Sequence, residues 1–203
     1  MERVTRLSEQ TQEIYDANAR VYDQMRSRTL SEARWLARFG DALPKGGKVL
    51  DLGCGAGEPI ASWLIAESFA LTGVDFSDAM LNIARELWPT GDWRIGDMPA
   101  LDLGEVFDGI IAWNSFFHLT EDEQRSTLPR LAAHLRKGSS LITTVGPIAG
   151  ETTGTVAGNT VYCSSLSPAK YAQILDDNGL RLTAYLAEDP DCGRHSVLMA
   201  RKD

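Results

Sequence analysis

Short apolar runs alternate along the chain with stretches whose apolar residues recur every three to four positions. Runs rich in Val, Ile and Leu predict strands over residues 48–52, 70–75, 93–96, 107–113, 140–145, 181–187 and 196–201, with helical patterns between them. Strands of this kind, interleaved with helices, predict a parallel sheet covered on both faces. Start and stop signals agree with that reading. Thr120-Glu121-Asp122-Glu123 has the form of a capping box, and Ser167-Pro168 puts a cap before a proline at the first helical position. Helix ends are expected at Gly138, after the basic pair Arg136 and Lys137, and at Gly179, after Asn178. Only residues 188–194 separate the last two strands, too few for a crossover helix, so that pair should be antiparallel.

Two segments fall outside the alternation. Residues 11–28 place Tyr15, Asn18 and Tyr22 at helical spacing, which gives one aromatic face. Residues 150–165 are rich in Gly and Thr and end in Val161-Tyr162, a pattern that reads as a hairpin inserted after the fifth strand. Insertions at the carboxyl edge of such sheets line ligand crevices, so Glu151 and Tyr162 become candidates for touching an acceptor substrate.

Composition narrows the partners. The 203 residues suit a single domain over the whole chain, burying roughly 70% of its unfolded surface. Apolar residues at 43% and charged residues at 24% are ordinary globular values and argue against disorder. A formal charge of −8 repels both a polyphosphate backbone and an anionic lipid surface, so neither nucleic acid nor membrane is expected as partner. Cys54, Cys163 and Cys192 form no Cys-x-x-Cys pair, and the amino end has no apolar leader, which together lead us to expect reduced thiols and a cytoplasmic protein.

The chemistry gathers at Val49-Leu50-Asp51-Leu52-Gly53-Cys54-Gly55-Ala56-Gly57, where an apolar strand runs into three glycines at alternate positions. Such a turn lets backbone approach a ligand closely, although glycine turns also serve to pack a helix on a strand. About twenty residues further on, Val74-Asp75 ends a second apolar run in an acid, placed to accept both hydroxyls of a ribose. A phosphate on the following helix is disfavoured, because Glu58 would put its carboxylate in the first helical turn. No Gly-Lys-Ser/Thr ending follows the glycines, and no arginine follows Asp75 to meet a 2′-phosphate. A nucleoside with a cationic centre suits Asp51 and Glu58 better.

These residues resemble the class I S-adenosylmethionine-dependent methyltransferases of the small-molecule type. Residues 49–57 look like the family's first motif and Gly73-Val74-Asp75-Phe76-Ser77 like its second. Gly96-Asp97-Met98 and Phe107-Asp108-Gly109-Ile110-Ile111 look like the third and fourth. The resemblance implies a Rossmann-like three-layer αβα sandwich whose seven-stranded, mostly parallel sheet has one antiparallel strand near the C-terminus. It implies that the turn through Asp51, Gly53, Cys54 and Gly55 meets the methionine portion of S-adenosylmethionine, and that Asp75, next to Phe76, holds the ribose. Asp97 and Met98, after Gly96, would meet the adenine, with Met80 flanking it or simply filling core. The turn Trp113-Asn114-Ser115-Phe116-Phe117-His118 would reach the methionine end, with His118 beside the methyl. Residues 1–30 would form a helical lid carrying Tyr15 and Tyr22, and Arg26 would pair with the methionine carboxylate. Cys54 reads as a small filler.

Methyl transfer from a sulfonium is an in-line displacement that leaves S-adenosylhomocysteine. If the acceptor must lose a proton, His118 is the best base, since its ordinary pKa lies near neutrality; packing against the cofactor is its other reading. His134 falls in a helical pattern and is expected at the surface. His195, with Asp189, Asp191 and Cys192, lacks the spacing of a zinc site and reads as a polar loop, so no metal is expected. A small-molecule acceptor and a monomer or homodimer complete the reading. Two alternatives stay open at this point: an NAD(P)-dependent oxidoreductase built on the same loop, and a protein that binds S-adenosylmethionine without catalysis.

Overall fold

A computed structural model describes residues 2–203, apart from the side chains of residues 2–6 and 9. In chain order the elements are α1 (Glu2–Met25), α2 (Ala33–Gly40), β1 (Lys48–Leu52), α3 (Ile60–Ala66), β2 (Ala70–Asp75), α4 (Asp78–Leu87), β3 (Asp92–Ile95) and β4 (Phe107–Ala112). They continue as α5 (Glu121–Ala133), β5 (Leu135–Val145), β6 (Gly150–Val156), β7 (Asn159–Ser165), α6 (Pro168–Asp177), β8 (Leu180–Asp189) and β9 (His195–Lys202). Seven strands form one sheet in the order β3-β2-β1-β4-β5-β9-β8, and β6 pairs with β7 as a separate hairpin. β9 runs antiparallel to both β5 and β8, while the other pairings in the sheet are parallel. The expected Rossmann-like sheet with one reversed strand is what forms.

Side chains alternate across the strands, and both faces are covered, which is why the sequence shows unbroken apolar runs. Leu50, Leu52 and Ile110 pack with Leu131 of α5 and Leu175 of α6 on one face. Val49 and Ile111 pack with Trp35, Phe39 and Leu64 from α2 and α3 on the other. A third cluster lies outside these layers. There Tyr15 and Ala19 of α1 meet Met80 and Ile83 of α4 and Val156 and Val161 of the hairpin, so α1 is seated jointly by α4 and the insertion. Strand order reverses beside β1, whose neighbours are β2 and β4, and a crevice opens at the carboxyl ends of such strands.

The caps form as expected. Thr120 and Glu123 make the reciprocal capping box, Ser167 Oγ accepts the Lys170 N–H, and Gly179 takes a left-handed φ of 71° after Asn178. One stop differs. α5 ends at Ala133, and Arg136, Lys137 and Gly138 belong to β5. Arg136 is spent on Asp108 of β4 at 2.8 Å rather than on a helix terminus. His134 is also not a surface residue. It is 7% exposed, its Nε2 accepts the Leu103 N–H at 3.0 Å, and its Nδ1 lies 2.8 Å from the Arg130 carbonyl. One imidazole thus satisfies two backbone groups at the end of α5, a demand that helical periodicity does not reveal.

Candidate active site

A cavity of about 270 Å³ opens at the carboxyl ends of β1, β2 and β4, and α1 lies over it. Its floor is the glycine turn. Gly53 has φ of 72°, and a Cβ there would stand 2.3 Å from Ser115 Cβ, so the β1 and β4 loops touch because no side chain intervenes. Gly55 also has positive φ, but a Cβ there would meet nothing within 4 Å, which leaves open space above the turn. The Gly55 N–H donates to Asp75 Oδ2 at 2.8 Å, and the Ser77 N–H donates to Asp75 Oδ1 at 2.9 Å. The turn and the strand-end acid are therefore bonded to each other directly. Glu58 precedes α3 and lies outside its first turn; its carboxylate sits 3.0 Å from the Ser62 hydroxyl.

Acidic groups dominate the floor. Burial pushes the Asp75 carboxyl up to about 6, against the lowering effect of its backbone N–H donors. Asp51, at the end of β1, is 2% exposed, and its Oδ2 has no hydrogen-bond partner. Burial first, then the neighbouring Asp75 charge, pushes the Asp51 carboxyl up to about 7, while Arg26 opposes the shift. Asp97 is raised by burial and by Glu123. A pair of buried carboxylates with a free oxygen is a receptor for positive charge.

The roof comes from α1. Gln12 Nε2 donates to the Phe76 carbonyl at 2.8 Å, and the Ser77 hydroxyl donates to Asp16. The Tyr15 ring stands edge-on to Tyr22 at 5.3 Å and to His118 at 5.6 Å. His118 lies in a short 3-10 turn after β4, with Nδ1 2.8 Å from the Tyr162 carbonyl and Nε2 3.0 Å from the Tyr15 hydroxyl. A carbonyl only accepts, so Nδ1 carries the proton and Nε2 accepts from Tyr15. Burial lowers the His118 pKa, and burial together with nearby Tyr22 and Asp75 raises the Tyr15 phenol far above its ordinary value. The pair is neutral and ordered.

Eighteen of the residues singled out in the sequence line this one cavity: Tyr15, Tyr22, Arg26, Asp51, Gly53, Cys54, Gly55, Glu58, Asp75, Phe76, Met80, Gly96, Asp97, Met98, Trp113, Asn114, Ser115 and His118. Glu151 and Tyr162 do not. Tyr162 is 1% exposed, and its hydroxyl donates 2.9 Å to Glu151, its diagonal neighbour on β6. Tyr162 reaches the site through its backbone carbonyl alone. Sequence reasoning missed Ser8, Thr11 and Gln12, which also line the cavity. They precede Tyr15 at helical spacing, so extending the aromatic face toward the amino end would have found them. The loop before β9 serves structure: Asp189 is buried and accepts from Trp35 Nε1 and Arg34, and His195 Nδ1 faces the Cys192 carbonyl. Among the described residues no three His, Cys, Asp or Glu side chains are grouped to hold a metal ion, and no helix is long and apolar enough to cross a membrane.

Residues 49–138 match the family model described as a methyltransferase domain. The curated dTDP-4-amino-2,3,4,6-tetradeoxy-D-glucose N,N-dimethyltransferase of Saccharopolyspora spinosa is 31% identical over 148 residues, covering 68% of this chain and 58% of that protein. The glycine N-methyltransferase of Rattus norvegicus is 36% identical over 138 residues, 58% of this chain and 46% of that enzyme. The chain therefore spans about half the length of these curated relatives. Among solved structures, the S-adenosylmethionine-bound amino pentose methyltransferase CalS10 of Micromonospora echinaspora superposes with a TM-score of 0.71 at 21% identity, covering 94% of this chain and 97% of that one. The CcbJ methyltransferase of Streptomyces caelestis gives 0.73 at 23% identity, with 93% and 97% covered. Residues 49–138 thus carry a methyltransferase domain, and the fold of the chain is the one these methyltransferase structures share.

Proposed function

We propose that this protein transfers a methyl group from S-adenosylmethionine to a small-molecule acceptor, and that the acceptor atom is an amine nitrogen. The observation that carries the first part is Asp51, a buried carboxylate whose Oδ2 has no partner and which faces a cavity fitted for a nucleoside. The residues fit the cofactor. Asp75 would take the ribose hydroxyls, Asp97 and Met98 the adenine, Asp51 the ammonium and Arg26 the carboxylate of the methionine portion, and the empty space above Gly55 admits the ligand against the backbone. When bound, the cofactor supplies an electrophilic methyl on a cationic sulfur. Amine methylation is supported by the names of the two curated relatives above and by the neutral Tyr15–His118 pair. The nicotinamide reading loses its footing, because residues 49–138 match a methyltransferase domain and the cavity floor is acidic.

The chain's own work is alignment and proton removal. Alignment of nucleophile and methyl in a closed site is worth about 7–11 kcal/mol in well-positioned intramolecular reactions. His118 acts as the base through Tyr15. The amine proton passes to the Tyr15 oxygen as the phenol proton moves to His118 Nε2, and the resulting imidazolium keeps its Nδ1–H on the Tyr162 carbonyl. Trp113, Tyr15 and Tyr22 offer ring faces to a cation at roughly 0.5–2 kcal/mol each. Calorimetry with S-adenosylmethionine, followed by a screen of amine metabolites for uptake of isotopically labelled methyl, tests the proposal. Binding of NADH in place of S-adenosylmethionine would overturn it, and tight cofactor binding with no S-adenosylhomocysteine formed from any acceptor would reduce the protein to a binder.

A further inference from the structure

Glu32 sits immediately before α2 and is 3% exposed. Its Oε2 takes the Ser31 hydroxyl at 3.0 Å, and its Oε1 has no hydrogen-bond partner. The side chain makes no cap hydrogen bond to α2; only the Glu32 backbone carbonyl serves that helix, accepting from Trp35 and Leu36. A buried carboxylate with an orphaned oxygen is costly, so it persists where a charge offsets it. Among the described residues the one cation within ion-pair reach is Arg26, whose Nη2 lies 3.7 Å from Oε1. That separation is an ion pair without a hydrogen bond. The Arg26 guanidinium lines the cavity, and among the described residues its donors make no side-chain hydrogen bond.

Arg26 therefore stands with Glu32 on one side and the cavity, with Asp51, on the other. Its fork of donors is unspent, and a carboxylate is the group that such a fork fits in two-point geometry. We infer that Glu32 is a positioning residue for the amino-acid end of the cofactor: it holds the Arg26 guanidinium from behind, so that Arg26 receives the ligand carboxylate while Asp51 receives the ligand ammonium. The inference rests on the cofactor reading proposed above. The charges balance under it. Two carboxylates and one guanidinium sum to one negative charge, opposite to a ligand that carries a carboxylate, an ammonium and a sulfonium.

The experiment compares S-adenosylmethionine with 5′-methylthioadenosine, which keeps the adenosine and sulfur but lacks the amino-acid end. Calorimetry is run on the full chain and on Glu32→Gln, Glu32→Asp, Arg26→Met and the Glu32→Gln/Arg26→Met double variant. Glu32→Gln is expected to weaken S-adenosylmethionine by about tenfold, as loss of a charge-assisted contact does, and to leave methylthioadenosine unchanged. Glu32→Asp keeps the charge and should lose less. In the Arg26→Met background Glu32→Gln should cost nothing more, since its action passes through Arg26. Equal weakening of both ligands by Glu32→Gln, or losses that add in the double variant, would overturn the inference and leave Glu32 a folding residue. Unchanged S-adenosylmethionine binding in Glu32→Gln would overturn it as well. A wild-type chain that binds neither ligand refutes the cofactor reading itself, whereas one that binds both with equal affinity refutes only the role of Arg26 and Glu32.

Discussion

The Tyr15 hydroxyl donates to His118 Nε2 at 3.0 Å, joining residues 103 positions apart in the chain. The helix over the cavity and the imidazole beneath it are thus one hydrogen-bonded unit. Any opening of α1 frees the histidine's basic nitrogen, and any closing covers it.

Removing either member of that pair should strike turnover before binding. Tyr15→Phe keeps the ring packing against Tyr22 and Phe76 but deletes the proton path, and a fall in kcat of about a hundredfold with a nearly unchanged cofactor Kd is expected. His118→Ala should match it, and the double variant should be no worse than either. Kinetics under saturating cofactor check this, and additive losses would separate the two residues.

Asp75 answers to a binding measurement. Asp75→Ala should weaken S-adenosylmethionine by about 1–3 kcal/mol, the range for stranding buried polar partners. It also releases the Gly55 and Ser77 N–H groups, so the melting temperature should fall alongside. Unchanged affinity would remove Asp75 from the ribose.

Cofactor affinity should climb with pH. Asp51 in the empty protein holds its proton up to about 7 and Asp75 up to about 6, and a cationic ligand needs both ionised. Below those values affinity should drop by up to about tenfold per pH unit for each proton displaced, and above them it should level off. Asp51→Asn should flatten the upper part of the profile. Stability of the ligand-free chain moves the opposite way. The unfolded Asp51 ionises near 3.8, the folded one near 7, so its contribution is complete below the first value and is lost as pH rises through the second.

Two of the turn's three glycines should behave differently when given a methyl. Gly53→Ala forces a Cβ to within 2.3 Å of Ser115 Cβ at positive φ, and a loss of at least about 2 kcal/mol in unfolding free energy is expected. Gly55→Ala meets no neighbour and should cost only about 1 kcal/mol of backbone strain. Its methyl projects into the ligand's space, so calorimetry should register a larger loss of affinity than chemical denaturation registers in stability.

Much of the sheet was legible because strands buried on both faces leave continuous apolar runs. The predicted ranges 48–52 and 70–75 coincide with β1 and β2. β5 was harder to delimit, since Arg136, Lys137 and Gly138 carry the composition of a helix terminus while Arg136 pairs across to Asp108. Of the site, the glycine turn, Asp75 and the aromatic face of α1 were readable from spacing. Glu32 was not, because a glutamate before a helix looks like any solvated charge until folding sets Arg26 beside it. Tyr162 was read for its side chain, yet what reaches His118 is a carbonyl that every residue possesses.

That carbonyl has a corollary for substitution. The hairpin fixes the imidazole's tautomer through a main-chain oxygen, with the Cys163 sulfur 4.0 Å from the same nitrogen, so a change of side chain at Tyr162 leaves that hydrogen-bond acceptor in place.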